Sequence, residues 1–157
     1  MKLSTKGRYA VMAMVDIAAH TEGKPIALAD VAERQEISLS YLEQLFGKLR
    51  RGGLVKSVRG PGGGYLLARG AADTRISDII LSVDEPIKTT RCTPGSPVGC
   101  KSNKSRCLTH DLWEELGSHI FLYLNSVSLA DVVDNRVLGS SGVMHRQGDD
   151  ASFAAAQ

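Results

Sequence analysis

Nowhere in this chain of 157 residues does an apolar run approach the length needed to span a bilayer. The N-terminus has no hydrophobic signal core either, because Lys2, Lys6, Arg8 and Asp16 punctuate the first periodic segment. These two absences predict a cytoplasmic protein with no membrane partner. Cysteine is scarce: Cys92, Cys100 and Cys107 are all there are. An odd number in a reducing compartment argues against a disulfide framework and for metal or redox chemistry. There is no excess of charge of one sign, since the net charge is only +2, but the balance is uneven. Residues 1–70 carry 11 Lys and Arg against 6 Asp and Glu, net +5, whereas residues 71–157 carry 8 against 11, net −3. The first half is the one that should meet a polyanion. At 43% apolar composition the length suffices for one ordinary core, or a small domain plus an interaction helix, and excludes two full-sized domains.

The three cysteines fall with a histidine in one stretch, ordered C-x7-C-x6-C-x2-H from Cys92 to His110. Pro94, Gly95, Pro97 and Gly99 prevent a regular element there, so a flexible loop is expected that can wrap sulfur around a metal. Cys107 and His110 sit where a helical apolar pattern begins, which places both on one face of its first turn. Three thiolates and an imidazole match tetrahedral structural zinc, and equally an iron-sulfur cluster with histidine in place of one thiolate. A thiol-based redox switch using the cysteines directly is a third possibility. Hydrolytic Cys/His chemistry lacks a third group to orient the histidine, and no acid/base pair elsewhere supports an enzyme.

Apolar and small residues at spacings of three and four predict a helix from Thr5 to about Thr21, with Met12 and Met14 filling the core or its edge and His20 satisfying C-terminal carbonyls. A second helix is predicted over 28–35. After the turn Glu36-Ile37-Ser38, a third follows over 40–51, opened by a Ser40-x-x-Glu43 capping box and burying Leu42, Leu45, Phe46 and Leu49. Two helices joined by a tight turn form a helix-turn-helix, whose second helix enters the major groove. Gly52-Gly53 then stops the helix, and 54–58 with 65–67 read as strands around Arg59-Gly-Pro-Gly-Gly-Gly64, a β-hairpin with a glycine-rich tip. The glycines enter a strand and no P-loop Lys-Ser/Thr follows, so they do not cradle a nucleotide. The combination predicts a winged helix with Arg59 at the base of the wing, within reach of phosphates or a narrow minor groove.

A short helix over 76–83 leads to Asp84-Glu85-Pro86 and the cysteine loop. From Leu108 to about Ser126 the apolar face comprising Leu112, Trp113, Leu116, Ile120, Tyr123, Leu124 and Val127 is too broad for one thin contact, which predicts a dimerisation helix, with a purely intramolecular core role as the alternative. A palindromic operator requires such a two-fold dimer. Ser128-x-x-Asp131 caps a last helix to about Val137, and the tail beyond Gly139, which contains His145, is predicted to be disordered. His119 carries no ligand role.

The runs MKLSTKGRYA (1–10), ISLSYLEQLF (37–46), SVRGPGGGYLL (57–67) and the CLTH closing at His110 resemble the IscR family of bacterial iron-sulfur cluster regulators, winged helix-turn-helix transcription factors with nitric-oxide- and iron-sensing relatives. The likeness covers about 1–137, and the cysteine loop is slightly longer than the family's usual pattern. It implies a mainly α fold with a small β-wing, divided into a winged helix-turn-helix DNA-binding domain (1–70), a connecting helix and linker (71–90), a cluster-binding loop (91–110), a dimerisation helix with a short final helix (108–137) and a disordered tail (138–157). It implies a homodimer on double-stranded DNA that carries a 2Fe-2S cluster on Cys92, Cys100, Cys107 and His110, supplied by the cluster assembly machinery, and that represses the assembly genes in that form. DNA would be met by Ser40, Tyr41, Glu43 and Gln44 on the third helix and by Arg59 in the minor groove. Glu43 would let cluster state alter site choice, since a carboxylate in the groove accepts from cytosine N4 but is repelled by acceptor edges and phosphates.

Overall fold

The computed structural model describes residues 4–89 and 97–137. Helix α1 (Thr5–His20) opens at Ser4, whose hydroxyl accepts from the Lys6 amide at 3.2 Å. At its other end His20 Nδ1 donates to the Asp16 carbonyl at 2.8 Å, the role expected of a histidine in a last turn. Helix α2 (Leu28–Gln35) ends with Glu36 in the left-handed region, φ 53°, whose amide closes back on the carbonyls of Ala32 and Glu33. That reversal delivers Ile37 into the core and starts helix α3 (Leu39–Arg51). Its cap is Ser38, not Ser40: the Ser38 hydroxyl accepts from the Tyr41 amide at 3.3 Å, while Ser40 is already inside the helix. With Tyr41 at the third position there is no side-chain acceptor to complete a capping box.

The core lies where α1 crosses the helix-turn-helix. Ala10, Ala13, Met14 and Ile17 meet Leu42, Leu45, Phe46 and Leu49, the predicted stripe of α3, with Val31 from α2 beneath them. Alanine on α1 permits a close approach, and Phe46 fills the space left, packing edge-on against Tyr65 at 4.9 Å. Met14 is fully buried, but Met12 is 36% exposed and borders a hollow between α1 and Ile76, Ile80 and Leu124, so only one of the two methionines is core.

Strands β1 (Val55–Val58) and β2 (Gly64–Leu67) pair antiparallel, with Val55 opposite Leu67 and Val58 opposite Gly64. Ile26, just before α2, exchanges two backbone bonds with Tyr65 at 2.8 and 2.9 Å and fastens the hairpin to the head. Gly64 is required there, because any Cβ would overlap the Ile26 carbonyl. Helix α4 (Ile76–Ser82) buries Ile79 and Ile80 against α1. Helix α5 (His110–Ser126) starts two residues later than the apolar pattern suggests, since Leu108 is wholly exposed and no part of the helix. Helix α6 (Leu129–Val133), shorter than predicted, carries the expected capping box between Ser128 and Asp131 and returns the chain to the core through Leu129. Among the described residues no helix is long and apolar enough to cross a membrane. The tail predicted to be disordered lies outside the described residues.

One buried charge joins α1 to α2. Asp16 is 3% exposed and accepts from Arg34 Nη2 at 2.6 Å, Arg34 Nε at 3.0 Å and Gln35 Nε2 at 2.8 Å. Burial pushes its carboxyl up, but the Arg34 and Gln35 hydrogen bonds and the guanidinium charge outweigh burial and hold it below the usual carboxylate range. A depressed carboxylate stabilises the fold above the unfolded value of about 3.9, and that stabilisation is lost as pH falls through the lower folded value. Arg34→Met should therefore lower stability at neutral pH by about 1–3 kcal/mol in urea titrations, and the deficit should shrink on acidification as Asp16 protonates. A deficit independent of pH would show that the ion pair is not its source.

Candidate metal centre and nucleic-acid interface

The predicted metal loop leaves and rejoins the fold at one place, the first turns of α5. On the incoming side the Thr89 hydroxyl donates to the Trp113 carbonyl. Gly117 makes that contact possible, since a Cβ there would stand 2.7 Å from Thr89 Oγ1. On the outgoing side the His110 amide donates to the Cys107 carbonyl at 3.1 Å, so Cys107 sits in the turn that enters the helix and not on its first turn. Pro86, Ile87 and Thr89 face Gly117, Phe121 and Leu122 across an apolar groove beside these anchors.

Residues 99–105 form a tight reversal, with Gly99 donating to Lys104 at 3.0 Å and Lys101 to Ser105 at 3.1 Å. The reversal brings the Cys100 sulfur to 3.1 Å from His110 Nδ1. Cys107 is not brought in the same way: its sulfur lies 3.7 Å from Thr109 Oγ1. The other ring nitrogen of His110, Nε2, is 3.1 Å from Glu114 Oε2, and the histidine is 6% exposed. His110, Asp111 and Glu114 also place one imidazole and two carboxylates within 4.8 Å of one another, although Asp111 is exposed and paired with Arg106 at 3.6 Å. Cys92, the fourth donor expected from the sequence, lies outside the described residues. Thiol sulfur against a buried imidazole is a soft donor set, suited to iron-sulfur or zinc chemistry and unsuited to magnesium or calcium.

On α3, Ser40, Glu43 and Gln44 are exposed at helical spacing and share one face. Tyr41 is half-buried, its ring set edge-on to Tyr9 with centroids 6.1 Å apart, so it braces the helix against α1. Arg59 is exposed where β1 gives way to the wing tip, and Lys48, Arg50 and Arg51 fill the last turn of α3.

Between the head and the loop lies a contact that sequence reasoning missed. Glu85, 8% exposed, accepts from the Ser4 amide, from Ser4 Oγ at 2.6 Å and from the Gly7 amide at 2.6 Å. Burial raises its carboxyl, and the Ser4 hydroxyl and the two amides more than offset this, holding it below the ordinary carboxylate range. Its neighbour Asp84, in the left-handed region at φ 57°, is 2.7 Å from Lys48 Nζ on α3. The partners of Glu85 are some eighty positions away, and no local spacing could signal them. Glu114 was also missed, yet its place four residues after His110 was readable once the start of α5 was known.

Residues 3–135 match the Rrf2 family, described as iron-dependent transcriptional regulators. The HTH-type transcriptional regulator IscR of Yersinia pseudotuberculosis is 52% identical over 136 residues, spanning 87% of this chain and 81% of that protein. The Serratia proteamaculans counterpart gives the same figures. Among solved structures, T. potens IscR superposes with a TM-score of 0.69 at 38% identity, covering 93% of each chain. CymR, the global cysteine regulator of B. subtilis, superposes with a TM-score of 0.71 at 32% identity, over 86% of this chain and 98% of that one.

If the Thr89 contact holds the incoming end of the loop, Gly117→Ala should displace it, because the new Cβ competes for the space of Thr89 Oγ1. Amide exchange of residues 87–89 should then rise about tenfold while α3 stays protected. Unchanged exchange at 87–89 would mean that the linker is held by other contacts.

Proposed function

The chain belongs to the Rrf2 family of iron-dependent transcriptional regulators, and from that premise we propose that it reads iron-sulfur supply. In this reading a 2Fe-2S cluster on Cys92, Cys100, Cys107 and His110 changes which DNA sites the winged helix-turn-helix occupies. The observation that carries the reading is the pairing of the Cys100 sulfur with His110 Nδ1 at 3.1 Å, made by a loop whose two ends rest on one helix. The nearness of Cys100 and His110 supports their sharing one ligand sphere, and Cys107 stands one short turn before His110. When bound, the cluster supplies an oxidant-sensitive inorganic centre whose occupancy follows cellular assembly capacity.

The residues around it convert occupancy into DNA choice. Ser40, Glu43 and Gln44 meet base edges in the major groove, Tyr41 holds that face at a fixed angle through Tyr9, and Arg59 meets the minor groove or its phosphates. A series of contacts leads back to the loop: Thr89 on α5, then Glu85 on the first turn of α1, then Tyr9 against Tyr41 on α3. Movement of the loop on cluster loss alters Thr89 first, and the equilibrium between two placements of α3 follows to the extent that each placement binds a given site differently.

A second copy of the chain completes the reader. Leu112, Trp113, Phe121, Leu122 and Tyr123 are exposed along α5, an apolar surface of the kind that marks an interaction face. Pairing two such helices about a two-fold axis sets two heads on the half-sites of a palindrome. In the cluster-bound form the dimer represses the assembly genes, with the assembly machinery as the source of the cluster.

Anaerobic reconstitution tests the reading. The full chain should take up iron and sulfide in equal amounts and show visible charge-transfer bands, and His110→Ala should shift those bands and shorten the lifetime of the cluster in air. A colourless, zinc-loaded protein would leave the DNA-binding head standing and remove the sensor.

A further inference from the structure

We propose that Glu114 is a positioning residue for the cluster ligand His110: its carboxylate accepts the Nε2 proton and so fixes the tautomer in which a bare Nδ1 faces Cys100 and the loop. The inference rests on the reading of His110 as a ligand.

A neutral imidazole carries one proton, and the better acceptor decides which nitrogen holds it. His110 has two different neighbours at the same distance, the Glu114 carboxylate 3.1 Å from Nε2 and the Cys100 sulfur 3.1 Å from Nδ1. The carboxylate is much the stronger acceptor for a ring N–H. A proton on Nδ1 would instead stand between the ring and the loop and block donation to iron. Histidines that bind metals are commonly held in this way by a carboxylate on the far nitrogen, and removing it costs about 10–100-fold in metal affinity.

Helical spacing alone does not explain the contact. His119 and Glu115 also lie four apart on α5, but they stand 3.6 Å apart with side chains 71% and 75% exposed, where water competes for every bond. The corresponding figures for His110 and Glu114 are 7% and 33%. In that drier setting the hydrogen bond restricts the ring. Glu114 also lines the groove that Lys88 and Thr89 line on the incoming side of the loop. Because both partners belong to one helix, the ring is oriented before any metal arrives, and only the cysteines need to close on it.

The test has two readouts, the first free of any cluster. In the 15N-labelled, cluster-free full chain at mildly alkaline pH, the ring nitrogens of His110 should report a proton on Nε2. Glu114→Ala should shift the ring toward the Nδ1-protonated form. Glu114→Gln, whose side-chain oxygen still accepts, should restore the original pattern, and Glu115→Ala should change nothing. In the reconstituted protein, cluster loss to an iron chelator should run about 10–100-fold faster in Glu114→Ala, with Glu114→Gln between it and the parent. An unchanged tautomer in Glu114→Ala overturns the proposal, as does a shifted tautomer with cluster loss at the parental rate. If His110→Ala loses its cluster no faster than the parent, the ligand reading itself fails. If His110→Ala sheds it while Glu114→Ala behaves as the parent, only the positioning role fails.

Discussion

The Glu85 carboxylate is the constraint through which the two parts of this molecule meet. It is anionic, almost wholly buried, and carries three hydrogen bonds at the N-terminus of α1, where the helix dipole adds about 0.3–1 kcal/mol at exposed sites and up to about 2 kcal/mol when partly buried. An unpaired charge in that position would be strongly destabilising, so the arrangement holds only while Ser4 and Gly7 present their donors. A side chain at Gly7 would displace this carboxylate, since a Cβ would come within 2.6 Å of Glu85 Oε2. Ser4 and Gly7, at the opening of α1, are therefore the socket for the linker that precedes the cysteine loop. Because α1 also packs against α3 through the core and the Tyr9–Tyr41 contact, a movement of Glu85 would reach α3, the helix proposed to face DNA, through packed side chains.

The loop itself is supported from below rather than from within. Its ends touch α5 at Trp113 and His110, and its inner turn is held by three backbone bonds among residues 99–105. Surface ion pairs such as Arg106 with Asp111, at 3.6 Å and mostly exposed, add little to its stability. In the proposed reading, a donor set anchored at one histidine and carried otherwise by a loop would lose its metal without unfolding the head, as a sensor requires and a structural zinc site does not.

Much of the fold was legible in the sequence because its elements are short, strongly patterned and stopped by glycine or proline. Helix α2 and the buried stripe of α3 fall where periodicity puts them, and the wing falls around its glycines. Errors arose where a local signal had two candidates. Ser38 and Ser40 both suit a cap, and only the backbone shows that Ser38 holds it. Leu108 extends the apolar pattern of α5 yet lies fully in solvent. Of the candidate centre, the clustering of donors was readable, but the choice of Cys100 as the sulfur beside His110 depends on a reversal stabilised by backbone bonds that no residue spacing encodes. Glu85 was invisible for a different reason: a buried acid whose partners are distant looks in sequence like any acid at the end of a helix.

The central claim is that cluster occupancy changes DNA choice through α3. It is tested most directly by measuring, under anaerobic conditions at one salt concentration, the affinities of cluster-loaded and cluster-free protein for two operator classes that differ at the bases facing Glu43. The account predicts that the ratio of the two affinities differs between the loaded and free forms by about tenfold or more, and that Glu43→Ala brings the ratios together while both forms still bind. Equal ratios in the loaded and free parent protein would contradict it.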